Sequence, residues 1–379
     1  MHLLVPRSDS AVSGLLATAL SFLLGACGED PNPPPPPIEV PAALRWSPPA
    51  DLLAAAEKQV VLFCALDEQF SLPLVREFEQ RTGVKITFVP DSEQNKTVGL
   101  VNRLLQEQGA PTCDVFWNNE LAQTIRLANA GALAPYDVPS AASIPARWRD
   151  PEKRWCGFAA RGRVFILNPA RLKANGLEEA QWPSKLEDLA DPRFQKIGCI
   201  ARPLTGTTAT HGTALFSLLG REQAQEFFRR ILANEIAPMG SNGATMAAVR
   251  DGRFSFGLTD TDDYHVAALD TPPGTVAIRY PDAASDGVLL IPNSASKIAG
   301  GPHARAADLL LDWILSKEVE YRLAQAAGAQ IPLRDDVPGP RGIGWDPAKI
   351  KVRTVDWQQV ARDLTDLEIQ RFFQELFRS

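Results

Sequence analysis

Residues 58–89 read "KQVVLFCALDEQFSLPLVREFEQRTGVKITFV", and this stretch predicts the fold class of the chain. The continuous apolar run 58–66 is bounded by charges, which is typical of a strand buried on both faces. A helix is predicted over 71–83, with Ser71 as its cap and Gly83 as its stop, and a second strand over 84–90. The stretch is therefore a strand–helix–strand unit.

The same order continues along the chain, with a helix predicted over 95–109, a strand over 113–118 and a helix over 120–131. Three alternations in about 75 residues favour parallel βαβ units. In open sheets of this kind ligands bind at the carboxyl ends of the strands. Side chains just after the predicted strands are therefore the candidates for a binding site.

A second alternating region follows a long apolar run that begins at Trp155. That run is long enough to cross between two lobes, and residues 287–298 are predicted to cross back. The predicted fold class is α/β, with two lobes, each a mixed, mostly parallel sheet flanked by helices, and a cleft between them. Lobe one is assigned residues 46–162 plus 285–379 and lobe two residues 163–284. The amphipathic final segment, 342–379, is expected to dock on lobe one.

The first 45 residues are predicted to lie outside the fold. Residues 1–26 combine Arg7, an apolar stretch and the sequence Leu-Gly-Ala before Cys27, the pattern of a bacterial lipoprotein signal peptide. The stretch of about 12 apolar residues is too short to span ~30 Å of hydrocarbon. Cys27 is the predicted lipidation site, and the proline-rich residues 27–45 are a membrane spacer. We expect a protein of the cell envelope, periplasmic or extracytoplasmic, anchored through Cys27.

Composition excludes two classes of site. The net charge is −6 with no basic stripe, which argues against nucleic acid as a partner. The four cysteines after Cys27 show no Cys-x-x-Cys spacing, which argues against a zinc site. Disulfides and buried free thiols both remain open for the set Cys64, Cys113, Cys156 and Cys199.

Acidic and amide side chains follow several predicted strands. Residues 256–269, "FGLTDTDDYHVAAL", crowd three carboxylates after a strand. If both sheets present their strand ends to one cleft, carboxylates converge from opposite walls, and a cation between them would make this tolerable. The alternative is that the aspartates cap the next helix and face water. The candidate ligand-binding residues of these loops are Asp67, Glu68, Asn119, Glu120, Asp260, Thr261, Asp262 and Asp263.

A threonine-rich turn precedes the predicted helix at 208–220. A simple N-cap needs one threonine, so the excess favours a helix start that accepts an anion. His211 within this helix either ligates a metal or packs. Arg161 and Arg163 alternate along the crossing strand, so both are predicted to point to the same side. Two roles remain open for them: contact with an anionic ligand, or pairing with aspartates across the hinge. The candidate residues of the turn are Thr205, Gly206, Thr207, Thr208 and Thr210.

Motifs for catalysis are absent. The sequence has no Gly-x-Ser-x-Gly, no phosphate-binding Gly-x-x-x-x-Gly-Lys-Ser/Thr and no His-Glu-x-x-His. Binding without catalysis is therefore favoured, and no enzyme activity is predicted.

The motifs quoted above, with "DVFWNNELAQTIRLANAGALAPY" and "GGPHARAADLLLDWILSKEVEYRLAQ", resemble the extracellular solute-binding proteins of ABC importers, in particular the ferric-iron-binding branch. The resemblance covers about residues 57–335. It implies a two-lobed clamp, the periplasmic-binding-protein type II fold, that works with permease and ATPase subunits. We expect a monomer with no cofactor, except a possible metal ion as transported ligand.

The resemblance also implies a metal site. In the ferric branch a histidine, a glutamate and two adjacent tyrosines hold the ion; here Glu68 falls near the histidine position, and Asp262 and Asp263 replace the tyrosines. The implied ligands are Glu68, Glu120, Asp262 and Asp263, suited to Fe(III) or another hard cation. Since both phenolates are lost, an organophosphate or amine-containing solute, such as a phosphonate, sugar phosphate or thiamine, is the alternative cargo. A metal-dependent secreted hydrolase is the alternative class.

Overall fold

The computed structural model describes residues 38–91 and 97–378. The predicted signal peptide and Cys27 lie outside the described residues. The described end of the predicted spacer packs on the fold, since Val40 and Leu44 are buried against Val337. Next to it, the Trp46 indole N–H donates to Asp312 Oδ2 at 2.8 Å. The packed part thus begins before the predicted boundary at residue 46.

Ten strands of the described ranges form one continuous mixed sheet. They are β1 (Gln59–Cys64), β2 (Lys85–Pro90), β3 (Val115–Asn118), β4 (Leu133–Ala134), β5 (Trp155–Leu167), β6 (Gly198–Ala201), β7 (Ala237–Met239), β8 (Phe256–Asp260), β9 (Ala277–Arg279) and β10 (Leu290–Ile298).

Thirteen α-helices of the described ranges flank this sheet. They are α1 (Ala50–Ala55), α2 (Glu68–Thr82), α3 (Val98–Gln106), α4 (Ala122–Asn129), α5 (Pro169–Ala174), α6 (Gly206–Leu219), α7 (Arg221–Ala233), α8 (Asn242–Arg250), α9 (Thr261–Leu269), α10 (Ala304–Ile314), α11 (Lys317–Gln325), α12 (Trp357–Leu364) and α13 (Leu367–Leu376). Short 3₁₀ helices occupy Ala42–Leu44, Pro139–Ser143, Ala146–Trp148, Glu179–Gln181, Leu186–Ala190 and Pro192–Phe194. Across 38–91 and 97–378, no helix combines the length and apolarity needed to cross a membrane.

The sheet has two halves that share β5. In the first half β1 is parallel to β2 and β3, and β10 is antiparallel to β3, β4 and β5. In the second half β6 is parallel to β7 and β8, and β5 is antiparallel to β8 and β9. Strand β5 pairs with β10 through Gly162 and with β8 from Arg163 onward. The predicted crossing strand is confirmed, and its two arginines lie where it passes between the halves.

Helix α2 starts earlier than predicted. It begins at Glu68, with Asp67 at the N-cap, and contains Pro73. Ser71, the predicted cap, is buried inside the helix, where its hydroxyl donates to the carbonyl oxygens of Leu66 and Asp67 at 3.3 and 3.2 Å. Three residues therefore separate β1 from α2, whereas α9 follows β8 directly.

The C-terminal segment packs differently from the expectation. Helix α12 contacts both α4 and α6. In α13, Phe373 stacks edge-on against Phe216 and Phe228, with ring centroids 5.5 and 5.0 Å apart. These phenylalanines belong to the buried cluster of the second half, which also includes Phe256 of β8. The apolar stripe correctly predicted that this helix docks on the protein, but it did not specify the docking partner. The prediction that the segment docks on lobe one is wrong for α13, which packs on α6 and α7 of the second half. The other residue boundaries given above for lobe one and lobe two remain a prediction.

Candidate functional site

Loops from both halves of the sheet meet beside β5. The loop after β1 carries Asp67, the loop after β3 carries Asn119 and Glu120, and β8 ends at Asp260. Helix α6 starts in the loop after β6, at Gly206. Because parallel strands end at the same edge of a sheet, the chain order alone brings these groups to two facing edges.

A buried ion pair anchors the second half of the site. Arg163 Nη1 donates to Asp260 Oδ1 at 2.6 Å, while Oδ2 accepts from Thr207 Oγ1 at 2.6 Å and from Asn242 Nδ2 at 2.9 Å. Burial alone would raise the pKa of Asp260, but Arg163, Arg161 and the Thr207 hydroxyl outweigh it and hold that pKa below its usual value. Asp260 is thus an ionised group engaged on both oxygens.

His211 packs against this pair. Its Nδ1 accepts from Arg163 Nε at 3.2 Å. Burial, and then the charge of Arg163, lowers the pKa of His211 to about 3. The ring is therefore neutral and orients Arg163, which resolves the alternatives for this histidine in favour of packing.

Two further carboxyl groups lie next to Asp260 in the first turn of α9. One oxygen each from Asp260, Asp262 and Asp263 lies within 4.8 Å of the other two. The Asp263 N–H donates to Asp262 Oδ1 at 3.0 Å, and Thr259 Oγ1 donates to Asp263 Oδ2 at 2.5 Å. The side chain of Asp262 is 13% exposed, so it does not face bulk water as a plain helix cap would.

Burial perturbs both carboxyls. It raises the pKa of Asp262 well above its ordinary value, with Arg161 opposing and the neighbouring aspartates adding to the rise. Burial, followed by the charge of Asp260, raises the pKa of Asp263 to about 6. These two groups consequently hold protons more firmly than ordinary aspartates, and a bound cation would displace them.

Arg161 connects the two halves. Its Nη2 donates to the backbone oxygen of Asn119, and its Nη1 lies 3.9 Å from both Asp260 Oδ2 and Asp262 Oδ2. Burial would lower the pKa of Arg161, but Asp262, Asp260 and Asp67 together raise it. Its buried Nε has no acceptor among the residues that the structure describes. The guanidinium therefore retains one N–H with which it can bind a ligand.

Glu120 is engaged by four donors. Its carboxylate accepts from the backbone N–H groups of Ala122 and Gln123, both at 2.8 Å, from Asn118 Nδ2 at 3.1 Å and from Thr210 Oγ1 at 2.9 Å. Burial nevertheless raises its pKa. The bond from Thr210 joins α6 to the start of α4, across the two halves. To ligate a metal, Glu120 would have to exchange some of these bonds.

The threonine-rich turn serves two purposes. The hydroxyls of Thr207, Thr208 and Thr210 all donate to side chains of the protein. Thr205, by contrast, is exposed at the N-cap of α6 and makes no side-chain cap bond within the described chain. The next residue, Gly206, has φ +59°, which favours glycine. The internal threonines thus organise the site, and the start of α6 stays open.

The remaining predicted residues differ in their surroundings. Thr261 is fully buried, and its Oγ1 accepts the Gly162 N–H at 3.2 Å, where β5 meets α9. Glu68 is the first residue of α2, and its side chain is exposed. Asp67 precedes it, and its charge acts on both Arg161 and Asp262. Of the two acidic residues after β1, Asp67 is therefore the one close to the α9 carboxyls.

A cavity of about 350 Å³ lies beside the first half of α6. Its walls come from α3, α4, the start of α6 and the C-terminal helices, and they include Glu120, Thr205, Gly206 and Thr210. The α9 aspartates and Arg161 do not line it. The predicted residues are thus divided between this cavity and the carboxyl cluster, and α6 contacts both.

Several contributors to the site have no local signal in the sequence. Asn242 is the first residue of α8, next to the N-cap Ser241, and its bond to Asp260 depends on the packing of α8 beside β8. Arg126 and Gln374 reach the cavity from α4 and α13, almost 250 positions apart, so only the tertiary structure brings them together.

A family model described as bacterial extracellular solute-binding protein matches residues 73–350. A Fe(3+)-binding periplasmic protein of Serratia marcescens is 27% identical over 305 residues, covering 75% of this chain and 86% of that protein. A putative 2-aminoethylphosphonate-binding periplasmic protein of Salmonella typhimurium is 25% identical over 264 residues, covering 69% and 73%.

Solved structures share the fold. The ferric binding protein of Campylobacter jejuni superposes with a TM-score of 0.73 at 20% identity, covering 84% of this chain and 99% of that one. A periplasmic binding protein of Actinobacillus pleuropneumoniae with fructose 6-phosphate bound gives 0.72 at 21% identity, covering 85% and 100%. The predicted two-lobed α/β fold is confirmed. Because the family match spans most of the chain, this protein belongs to the bacterial extracellular solute-binding protein family.

Proposed function

We propose that this protein is the substrate-binding component of an ABC import system and that its cargo is a hard cation, such as Fe(III), taken up together with an anion. The observation that carries the proposal is the pair Asp262 and Asp263, whose pKa values are raised beside the unused N–H of Arg161. Carboxylate oxygens are the ligands that hard cations prefer. The Fe(3+)-binding relative of Serratia marcescens supports the same cargo class.

The charges around the cluster favour a cation with an accompanying anion over a bare ion. A cation would displace the protons of Asp262 and Asp263 and relieve their repulsion with Asp260. Arg161, 3.9 Å from Asp262 Oδ2, would repel that cation unless an anion lay between them. The unused Nε–H of Arg161 is a suitable donor to such an anion, since charge-assisted hydrogen bonds are the stronger ones.

The contacts between the two halves suggest how binding would be signalled. Thr210 of α6 donates to Glu120, which joins the two halves. Arg161 also joins them, because it donates to Asn119 of the first half and its Nη1 lies 3.9 Å from Asp260 Oδ2 and Asp262 Oδ2 of the second. A ligand held by Asp262 from one side and Asp67 from the other would stabilise the closed arrangement through its higher affinity for it. The permease would then recognise the closed protein.

Location and partners follow from the family and the N-terminal sequence. We infer that lipidation at Cys27 holds a monomer at the membrane, where it delivers its solute to permease and ATPase subunits. No enzyme activity is part of this proposal.

Isothermal titration with ferric nitrilotriacetate, with and without phosphate, tests the cargo. We expect Asp262→Asn/Asp263→Asn to weaken iron binding by at least about a hundredfold, since two charged ligands are lost. The exposed Asp335→Asn is the matched control and should bind like the wild type. Wild-type affinity in the double variant, or no iron uptake by the wild type, would refute the metal cargo.

A solute with an ammonium group and a phosphonate or phosphate is the second candidate. Arg161 lies close to the aspartates, and its positive charge offsets part of their negative charge. The remaining negative charge suits a single ammonium group better than it suits a trivalent cation. The similarity to a putative 2-aminoethylphosphonate-binding periplasmic protein of Salmonella typhimurium supports this candidate. Elemental analysis of protein purified from native membranes separates the candidates: stoichiometric metal indicates the first, and phosphorus without metal indicates the second.

A further inference from the structure

The cavity beside α6 has a positive character. Among the described residues that line it, the charged ones are Glu120 and Arg126. The Glu120 carboxylate is occupied by its four internal donors. The first turn of the 14-residue helix α6 adds its partial positive charge at Gly206.

Arg126 in the wall of this cavity is not neutralised. Its Nη1 donates to Gln123 Oε1 at 3.2 Å and to Asn102 Oδ1 at 3.5 Å, and both acceptors are uncharged amides. It forms no ion pair within 38–91 and 97–378. The neighbouring Arg103, by contrast, pairs with Glu107 at 2.7 Å. A half-buried guanidinium without a carboxylate has binding capacity left for an external anion.

Helix α13 contributes another part of the cavity wall. Its residues lie beyond the stretch matched by the family model, which ends at residue 350. Phe373 fixes the helix to α6 and α7, and Arg221 of α7 pairs with Asp366 at 2.6 Å. One turn apart on the exposed face, Gln370 and Gln374 line the cavity. This wall therefore offers neutral amides and adds no negative charge.

We propose that this cavity binds an oxyanion group of the solute, a phosphate or carboxylate, with Arg126 as its counter-ion and α13 as its outer wall. The proposal rests on the proposed function, because it adds a second contact for the same solute. A volume of about 350 Å³ is far larger than a metal ion needs and is sufficient for a small organic anion.

Calorimetric titration of the mature protein with inorganic phosphate, citrate and fructose 6-phosphate, each with and without Fe(III), tests this. We expect at least one of these anions to bind, and Arg126→Gln to weaken it by about tenfold or more. Arg126→Lys, which keeps the charge, should weaken it less. Gln374→Glu introduces a negative charge from the other wall and should also weaken binding, whereas the exposed Arg371→Gln should not.

Two results would overturn the proposal: none of the three anions binds the wild type, or both Arg126→Gln and Gln374→Glu bind them as the wild type does. Refutation of the anion subsite can be distinguished from refutation of the proposed metal cargo. Arg126-dependent anion binding without any iron binding would refute only the metal, whereas iron binding that depends on Asp262 but not on Arg126 would refute only the anion subsite.

Discussion

Replacing Asp263 by asparagine should stabilise the ligand-free protein at neutral pH. The substitution preserves the size of the side chain and an oxygen that can accept from Thr259 Oγ1. It removes a charge that forms in a buried position next to Asp260, which burial and that neighbour both disfavour. The wild-type carboxyl therefore destabilises the ligand-free protein, and the proposed cation would offset that cost.

The magnitude follows from the pKa of Asp263, which is raised from 3.8 to about 6. Between these values the folded state holds more protons than the unfolded state, so the free energy of unfolding falls as pH rises from about 4 to about 6. Above that window the loss is complete, and two pKa units correspond to about 3 kcal/mol.

Thermal unfolding of wild type and Asp263→Asn in chelator, from pH 4 to pH 8, measures the effect. We expect equal melting temperatures near pH 4 and a difference of a few degrees in favour of the variant above pH 6. The exposed Asp335→Asn should show no such divergence. A difference that does not depend on pH, or a variant less stable than the wild type at pH 7.5, would refute the reasoning.

Three further predictions concern other groups. Asp260→Ala should lower the free energy of unfolding by about 3–5 kcal/mol in urea titration, because Arg163 would remain buried without its carboxylate; an unchanged midpoint would contradict this. Cys27→Ser should move the protein from the membrane fraction to the soluble fraction, and persistence in the membrane would argue against the lipid anchor. A thiol reagent should label none of the four buried free cysteines in the native state and all four in denaturant, and labelling of the native protein would contradict this. These cysteines are Cys64, Cys113, Cys156 and Cys199.

The cysteines show how far local sequence goes. Their apolar surroundings indicated burial but left pairing open, whereas the structure shows four separate buried thiols. Burial raises the pKa of Cys64 to about 12, since a thiolate there would lose its hydration. Pairing depends on distances between strands far apart in the chain, and apolar runs carry no information about those distances.

Helix boundaries and helix partners were less predictable than helix existence. The start of α2 at Glu68 instead of Ser71 depends on how tightly the chain turns at the end of β1. The docking of α13 depends on the phenylalanines that α6 and α7 present to it. An amphipathic pattern specifies that one face is buried, but many apolar surfaces in the same protein can bury it.

Apolar runs and turn residues are local signals, so they were enough to predict the order of strands and helices, the crossing strand β5 and the acidic groups after β1, β3 and β8. Which of those acidic groups are already engaged depends on how the chain folds. Asp260 and Glu120 are occupied by donors from distant segments, while Asp262 and Asp263 keep raised pKa values. The physical reason is that a carboxyl's pKa depends on burial and on charges within a few ångströms, and the nearby Arg161 and Arg163 lie about a hundred residues away in the chain.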